Sequence, residues 1–197
     1  MKTARFLAFL APFTLAALLP AQAPPPTAYT ITETIAFPPL GSTMTIYRSG
    51  TKVLTDIYRP AQPGSSPAQH TLVLYNLAAG TSWSWNPATT PIACVAAHFS
   101  ANWGDPFAMT PDLLQNIAKG EFKPAGTESI AGVSTTIYTG ISGRNSIKAW
   151  FDEKDGLVMR AMIGAPGGQL LPLVDIKKVD LTTPAASHFV LPAACAR

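Results

Sequence analysis

Charge is what this 197-residue sequence has least of. Asp, Glu, Lys and Arg together make up 13% of it, about half of the usual ~25%. Fourteen basic residues face 11 acidic ones, and two of the basic ones, Lys2 and Arg5, stand at the very start. Beyond residue 23 the balance is 12 against 11, a net charge of +1. A nucleic-acid surface needs a basic stripe, and the local run Lys177-Lys178 lies inside an apolar segment, so nucleic acid is excluded as a partner. The low charge has two readings, a bias toward Ala, Pro and Thr or a functionally apolar surface, and the bias is the simpler one.

Histidine is scarce as well. His70, His98 and His188 each lie in a different region with no motif around them. No G-x-S-x-G elbow is present, so a nucleophile with its base and orienting acid is not in view and no catalytic residue is assigned. Cys94 and His98 have the i, i+4 spacing that places two ligands on one helix face, but two further zinc ligands are missing and Cys94 has a better use. Asp152, Glu153 and Asp155 with Gly156 lack the spacing of a calcium loop and read as a hairpin turn. No metal and no cofactor is expected. No pair of carboxylates is singled out for glycoside hydrolysis.

Long apolar runs are missing too. The one from Phe6 to Leu19 follows Lys2 and Arg5, ends at small residues, and falls short of the roughly 20 residues of a spanning helix. It reads as a secretory signal peptide over residues 1–23, cut after Ala21 or Ala23. No transmembrane anchor is expected, and the chain is read as periplasmic or secreted. Residues 24–28 are a Pro-rich linker within a single domain spanning 24–197. In an oxidising compartment the two cysteines, Cys94 and Cys195, are expected to pair. Closing a loop on the order of 100 residues adds about 4 to 5 kcal/mol on chain-entropy grounds.

What is abundant is alternation. YTITETIAF from Tyr29 to Phe37 places Tyr29, Ile31, Glu33, Ile35 and Phe37 on one side, with Glu33 the odd member. Strand pairs follow around Ser49-Gly50, Ala79-Gly80 and Ala131-Gly132. Residues 94–99 read as a short helix or a strand, with helix or coil the preferred reading. Thr110 as N-cap, Pro111, Asp112 in the first turn and the end at Lys119-Gly120 predict a short helix whose Leu113, Leu114 and Ile117 can cover a sheet. Trp83 and Trp85 share one side of a strand and read as core in preference to a sugar platform. The fold class is mainly β (α+β), a curved antiparallel sheet of about nine strands with one or two short helices.

The hairpin at 146–163 is apolar on both sides. Alternation puts Ile147, Ala149, Phe151, Leu157, Met159, Ala161 and Ile163 on one face. The other mixes Lys148 and Arg160 with Trp150, Val158 and Met162. A sheet apolar on both faces must be covered twice or hold something, so Trp150, Val158 and Met162 are the candidate ligand-binding residues.

Several of these segments resemble the outer-membrane lipoprotein carrier (LolA/LolB-like) half-barrel superfamily. The resemblance rests on a G-x-E-x-I-x-G turn at Gly126, Glu128, Ile130 and Gly132, on Trp150, Phe151, Asp152 and Arg160, and on the closing Phe189 and Pro192. It covers roughly residues 121–195. It implies an antiparallel half-barrel around an apolar cavity that holds acyl chains, so a lipid or lipidated protein is the expected partner of a non-enzymatic binding protein. The alternatives are an envelope protein-interaction or sensing module without a small ligand and, third, a hydrolase. Such carriers begin with a helix; this chain begins with strand, leaving the helix at 111–119 as the lid candidate.

Overall fold

A computed structural model describes residues 26–35, 41–64, 66–98, 107 and 109–196. The expected signal peptide, residues 24 and 25 of the linker, and Trp103 lie outside them. Eleven strands form one sheet: β1 (Ala28–Thr34), β2 (Thr43–Ser49), β3 (Lys52–Arg59), β4 (Gln69–Asn76), β5 (Thr81–Trp85), β6 (Cys94–His98), β7 (Phe122–Ile130), β8 (Val133–Ser142), β9 (Asn145–Asp152), β10 (Leu157–Gly164) and β11 (Leu171–Asp180). One helix, α1 (Thr110–Ala118), and single 3-10 turns at Ala186–Phe189 and Ala193–Cys195 complete the described elements.

The sheet is open, curved and antiparallel at each of its strand pairs, as expected, with more strands than about nine. Its spatial order is β6-β5-β4-β3-β2-β1-β11-β10-β9-β8-β7. Two meanders, β1–β6 and β7–β11, each made of sequential hairpins, are therefore joined along a single seam where β1 pairs with β11. The clearest departure from the sequence reading is β6. Helix or coil was the expectation for 94–99, yet Trp85↔Cys94 through Thr81↔His98 pair as an antiparallel ladder. Small, unbranched Ala residues carry little strand preference of their own, so pairing with β5 decides the conformation.

Curvature follows from the register shifts, each of which bends a strand. They fall between Thr32 and Glu33, Pro124 and Thr127, Val158 and Arg160, and Ala161 and Met162. One face of the sheet carries a continuous core of Tyr29, Ile31, Ile46, Val53, Tyr75, Ile137, Trp150, Leu157, Met159 and Ile176, joined by Phe107. The other face is covered in two places. Leu113 of α1 packs with Phe122, Phe151 and Val158 at the β7–β10 end. At the β2–β6 end, Phe189, Leu191 and Cys195 of the C-terminal tail pack on Leu54, Leu74 and Trp85. The expected disulfide Cys94–Cys195 fastens that tail, with 5.3 Å between the Cα atoms.

The turn at Ala131-Gly132 is a two-residue hairpin, with φ of 51° and 81°. Both residues are left-handed, the condition of a type I′ turn, which Asn-Gly satisfies better than Ala-Gly. Ala131 carries the steric penalty of that region. Ala131→Asn is expected to stabilise the fold by about 0.5 to 1 kcal/mol, read as a rise in the urea midpoint at unchanged slope.

Candidate functional site

The hairpin of β9 and β10 is where the two faces meet, and its phase differs from simple alternation. Leu157 pairs with Asp152, Val158 with Phe151 and Arg160 with Trp150, leaving Met159 as an extra residue on β10. Side chains directly opposite share a face. Val158 therefore joins Phe151, Ala149 and Ala161 on the face covered by α1, while Leu157 and Met159 join Trp150 on the face of the large core. Trp150, Val158 and Met162 were expected on one surface; the bulge at Met159 separates Val158 from the other two. A strict period of two cannot anticipate a bulge, because one extra residue reverses the phase beyond it.

Trp150 is 4% exposed, and Met162 packs against the same core. The indole N–H of Trp150 donates to Glu128 Oε2 at 2.6 Å. Arg160 donates to Glu128 Oε1 at 3.3 Å and to Asp175 Oδ1 at 3.2 Å, and Lys177 also bonds Asp175. Lys148 and Arg160 stand 4.6 and 5.3 Å from the Trp150 ring centre. Burial would raise the Asp175 carboxyl, but the hydrogen bonds from Lys177 and Arg160 hold it below the usual carboxylate value. The Glu, Trp and Arg of the sequence motif are thus one fastening that ties β7 to β9, β10 and β11.

On the opposite face a cleft of about 150 Å³ opens between α1 and the sheet. Met109, Leu113, Phe122, Ile147, Ala149 and Val158 form its apolar wall, with Asp112, Asn116 and Ser142 as its polar members. Helix α1 is held over it from its first residue. Met109 occupies the cap position, and Thr110, expected as the cap, instead sends its hydroxyl to the Gly156 carbonyl in the β9–β10 turn at 2.7 Å. Gly140 shapes the floor: a Cβ there would lie 2.1 Å from Phe122 Cδ1 and 2.5 Å from the Glu121 carbonyl oxygen. Only glycine lets Phe122 lie over β8. Beside the cleft, Ile147, Ile163 and Leu171 stand opposite one another across β9, β10 and β11, and Leu171 is exposed. The apolar wall thus runs out onto the surface. Of the three residues singled out from sequence, Val158 alone lines this cleft; the helix pattern flagged Leu113 and Asp112, and Phe122 and Ser142 carried no signal.

Two other polar features are notable. Glu33 is 9% exposed on the large core's face, opposite Met44 of β2 and Ile176 of β11, and burial raises its carboxyl from 4.5 to about 7. Tyr138 donates to Glu153 Oε1 at 2.9 Å; burial and that carboxylate push the phenol up to about 12. The histidines are distributed over separate elements: His70 bonds Asp56 at 2.7 Å, His98 lies on β6, and His188 stacks on Tyr47 with 4.0 Å between ring centres. Trp83 and Trp85 both join the core under the C-terminal tail. Among the described residues no helix is long and apolar enough to cross a membrane.

No family model matches this chain, and no curated protein matches it in sequence. Solved structures do resemble it. A crystal structure of MucB aligns with a TM-score of 0.53 and 15% identity, covering 86% of this chain and 58% of that one. The complex structure of Pseudomonas aeruginosa MucA/MucB aligns with a TM-score of 0.51 and 15% identity, covering 85% of this chain and 56% of that one. The chain therefore spans less than two thirds of the length of these MucB chains, and at this identity what it shares with them is the fold.

Proposed function

We propose that this chain is an exported, non-enzymatic binding module that engages a segment of another protein, with the cleft beneath α1 receiving one apolar side chain of that partner. The cleft's size carries the reading. Pockets for small molecules usually hold 300 to 1,000 Å³, whereas about 150 Å³ of apolar space accommodates something the size of benzene. The cleft therefore suits a Leu or Phe side chain better than an acyl chain. The likeness in fold to MucB, a protein solved in complex with MucA, is in keeping with a protein partner. Export to the periplasm or beyond rests on the N-terminal pattern of residues 1–23.

The second reading, an acyl chain or lipidated partner held on the curved face, rests on the carrier resemblance. It requires the large core to open, since Trp150, Leu157, Met159 and Ile176 already fill that face.

Two variants separate the readings. Ser142→Leu fills the cleft from a partly buried position and should weaken capture of the partner seated in the cleft while leaving the melting temperature near wild type. Gly140→Ala displaces Phe122 and should cost about 1 to 3 kcal/mol with the same loss of capture. If the partner recovered by wild type binds Ser142→Leu equally well, the cleft is not the contact. If delipidated protein takes up a fluorescent fatty acid in stoichiometric amount, the lipid reading replaces the protein one.

A further inference from the structure

We propose that β6 is a docking edge, which accepts an extended segment of a partner protein as an additional antiparallel or parallel strand. Among the described residues the sheet has two edges, β6 and β7, and they are built differently. The β7 edge carries Lys123, Pro124 and Glu128, and its ladder is broken between Pro124 and Thr127, where Gly126 takes a φ of 127°. Charges, proline and bulges are the devices by which natural sheets prevent edge pairing. The β6 edge has none of them. Its sequence is Cys-Val-Ala-Ala-His, Val95 is 64% exposed, and Ala96, Ala97 and His98 are exposed beside it. Small side chains let a second backbone come within the ~4.8 Å of a strand pair.

The edge is also fixed in place before any partner arrives. Cys94, its first residue, is tied to Cys195, and Trp85 opposite it is core. A fixed edge loses little conformational freedom on pairing. A hollow of about 240 Å³ beside the strand, lined by Thr81, Trp83, Ala96, Ala97 and His98 among others, can take a partner side chain. In the same strand pair, Thr81 Oγ1 is shielded from solvent and meets no hydrogen-bond partner among the described residues. Five residues span only about 17 Å, so a seam between two copies of this chain would fall short of the ~1,000 Å² that a stable interface buries. An extended segment of a different protein, using main-chain bonds for affinity and one side chain in the hollow for selectivity, is the occupant that fits.

The test selects a phage-displayed library of 12-residue peptides against the oxidised exported chain. Selected peptides should alternate β-branched residues, and N-methylation of every second peptide nitrogen should weaken binding about tenfold while the intervening positions tolerate it. Successive N–H groups on β6 point alternately to β5 and outward. One of Ala96→Pro and Ala97→Pro should therefore weaken binding about tenfold with an unchanged melting temperature, and the other should lower that temperature by breaking the β5 ladder. Ser142→Leu should leave peptide binding intact, which keeps this edge separable from the cleft. The proposal is overturned if no peptide is selected, if binding ignores both proline variants and N-methylation, if Ser142→Leu abolishes it, or if the free protein is a dimer that a proline variant dissociates.

Discussion

Replacing Cys94 and Cys195 by serine is expected to lower stability by about 4 kcal/mol, a drop in melting temperature of roughly 10 to 15 °C for a chain of this size. The bridge closes a loop of 101 positions, and on chain-entropy grounds such a loop is worth slightly more than 4 kcal/mol. Its location adds a second effect. Phe189, Leu191 and Cys195 are what cover Leu54, Leu74 and Trp85, and among the described residues the tail's other ties are the His188 ring on Tyr47 and packing. Loss of the bridge should therefore free the tail before the sheet melts. Hydrogen exchange on β3 to β5 reads this directly: the double variant should lose protection there while β8 to β10 keep theirs. Uniform loss across both meanders would mean that the tail contributes nothing local.

Glu33→Gln is expected to flatten the pH dependence of stability between pH 4.5 and 7. The carboxyl is raised from 4.5 to about 7 by burial, so within that window the folded protein holds a proton that the unfolded chain has released. Stability then falls as pH rises through the window, and the full penalty is present above pH 7. A gap of about 2.5 pH units corresponds to about 3 kcal/mol. At pH 8 the variant should be the more stable protein by up to that amount, and below pH 4.5 the two should converge. Urea melts of both proteins at pH 4, 6 and 8 give the difference directly, which removes the contributions of other groups such as Asp152, also raised by burial. Parallel curves across the three pH values would refute an ionising Glu33 in the core.

The alternation from Tyr29 to Ile35 shows why Glu33 was legible and its environment was not. Period-two spacing places it on the side of Tyr29 and Ile31, and that is where it is found. The sequence has no means of showing that Ile176, far along the chain, lies opposite it across the β1–β11 seam. Among the described residues that seam is the only pairing between the two meanders, and it joins segments separated by most of the sheet. Hairpins are set by local turn residues such as Ala131-Gly132; a long-range seam is set by which apolar faces bury each other best.

The candidate site divides in the same way. Leu113 and Asp112 follow from the helix pattern between Thr110 and Lys119. Phe122 and Gly140 do not, because their relation is one ring lying over one missing Cβ on the neighbouring strand. Val158 was expected beside Trp150 and stands on the other face, since a bulge at Met159 reverses the alternation. Glu128 was legible in one motif of the carrier resemblance and Trp150 and Arg160 in another, and only the structure shows that they are hydrogen-bonded to one another.

By itself the sequence determined the class of molecule: alternating strands with tight turns, one short helix, a pair of cysteines and little charge. Those properties follow from composition and from periods of two and 3.6, which operate over a few residues. Tertiary structure alone decided that Val158 faces a small cleft while Trp150 is sealed in the core. It also decided that residues 94–98 form an exposed edge and that a carboxyl is buried beside Ile176. Each of these depends on register, bulges and sheet order, quantities set by burial across the whole molecule, which no local spacing encodes.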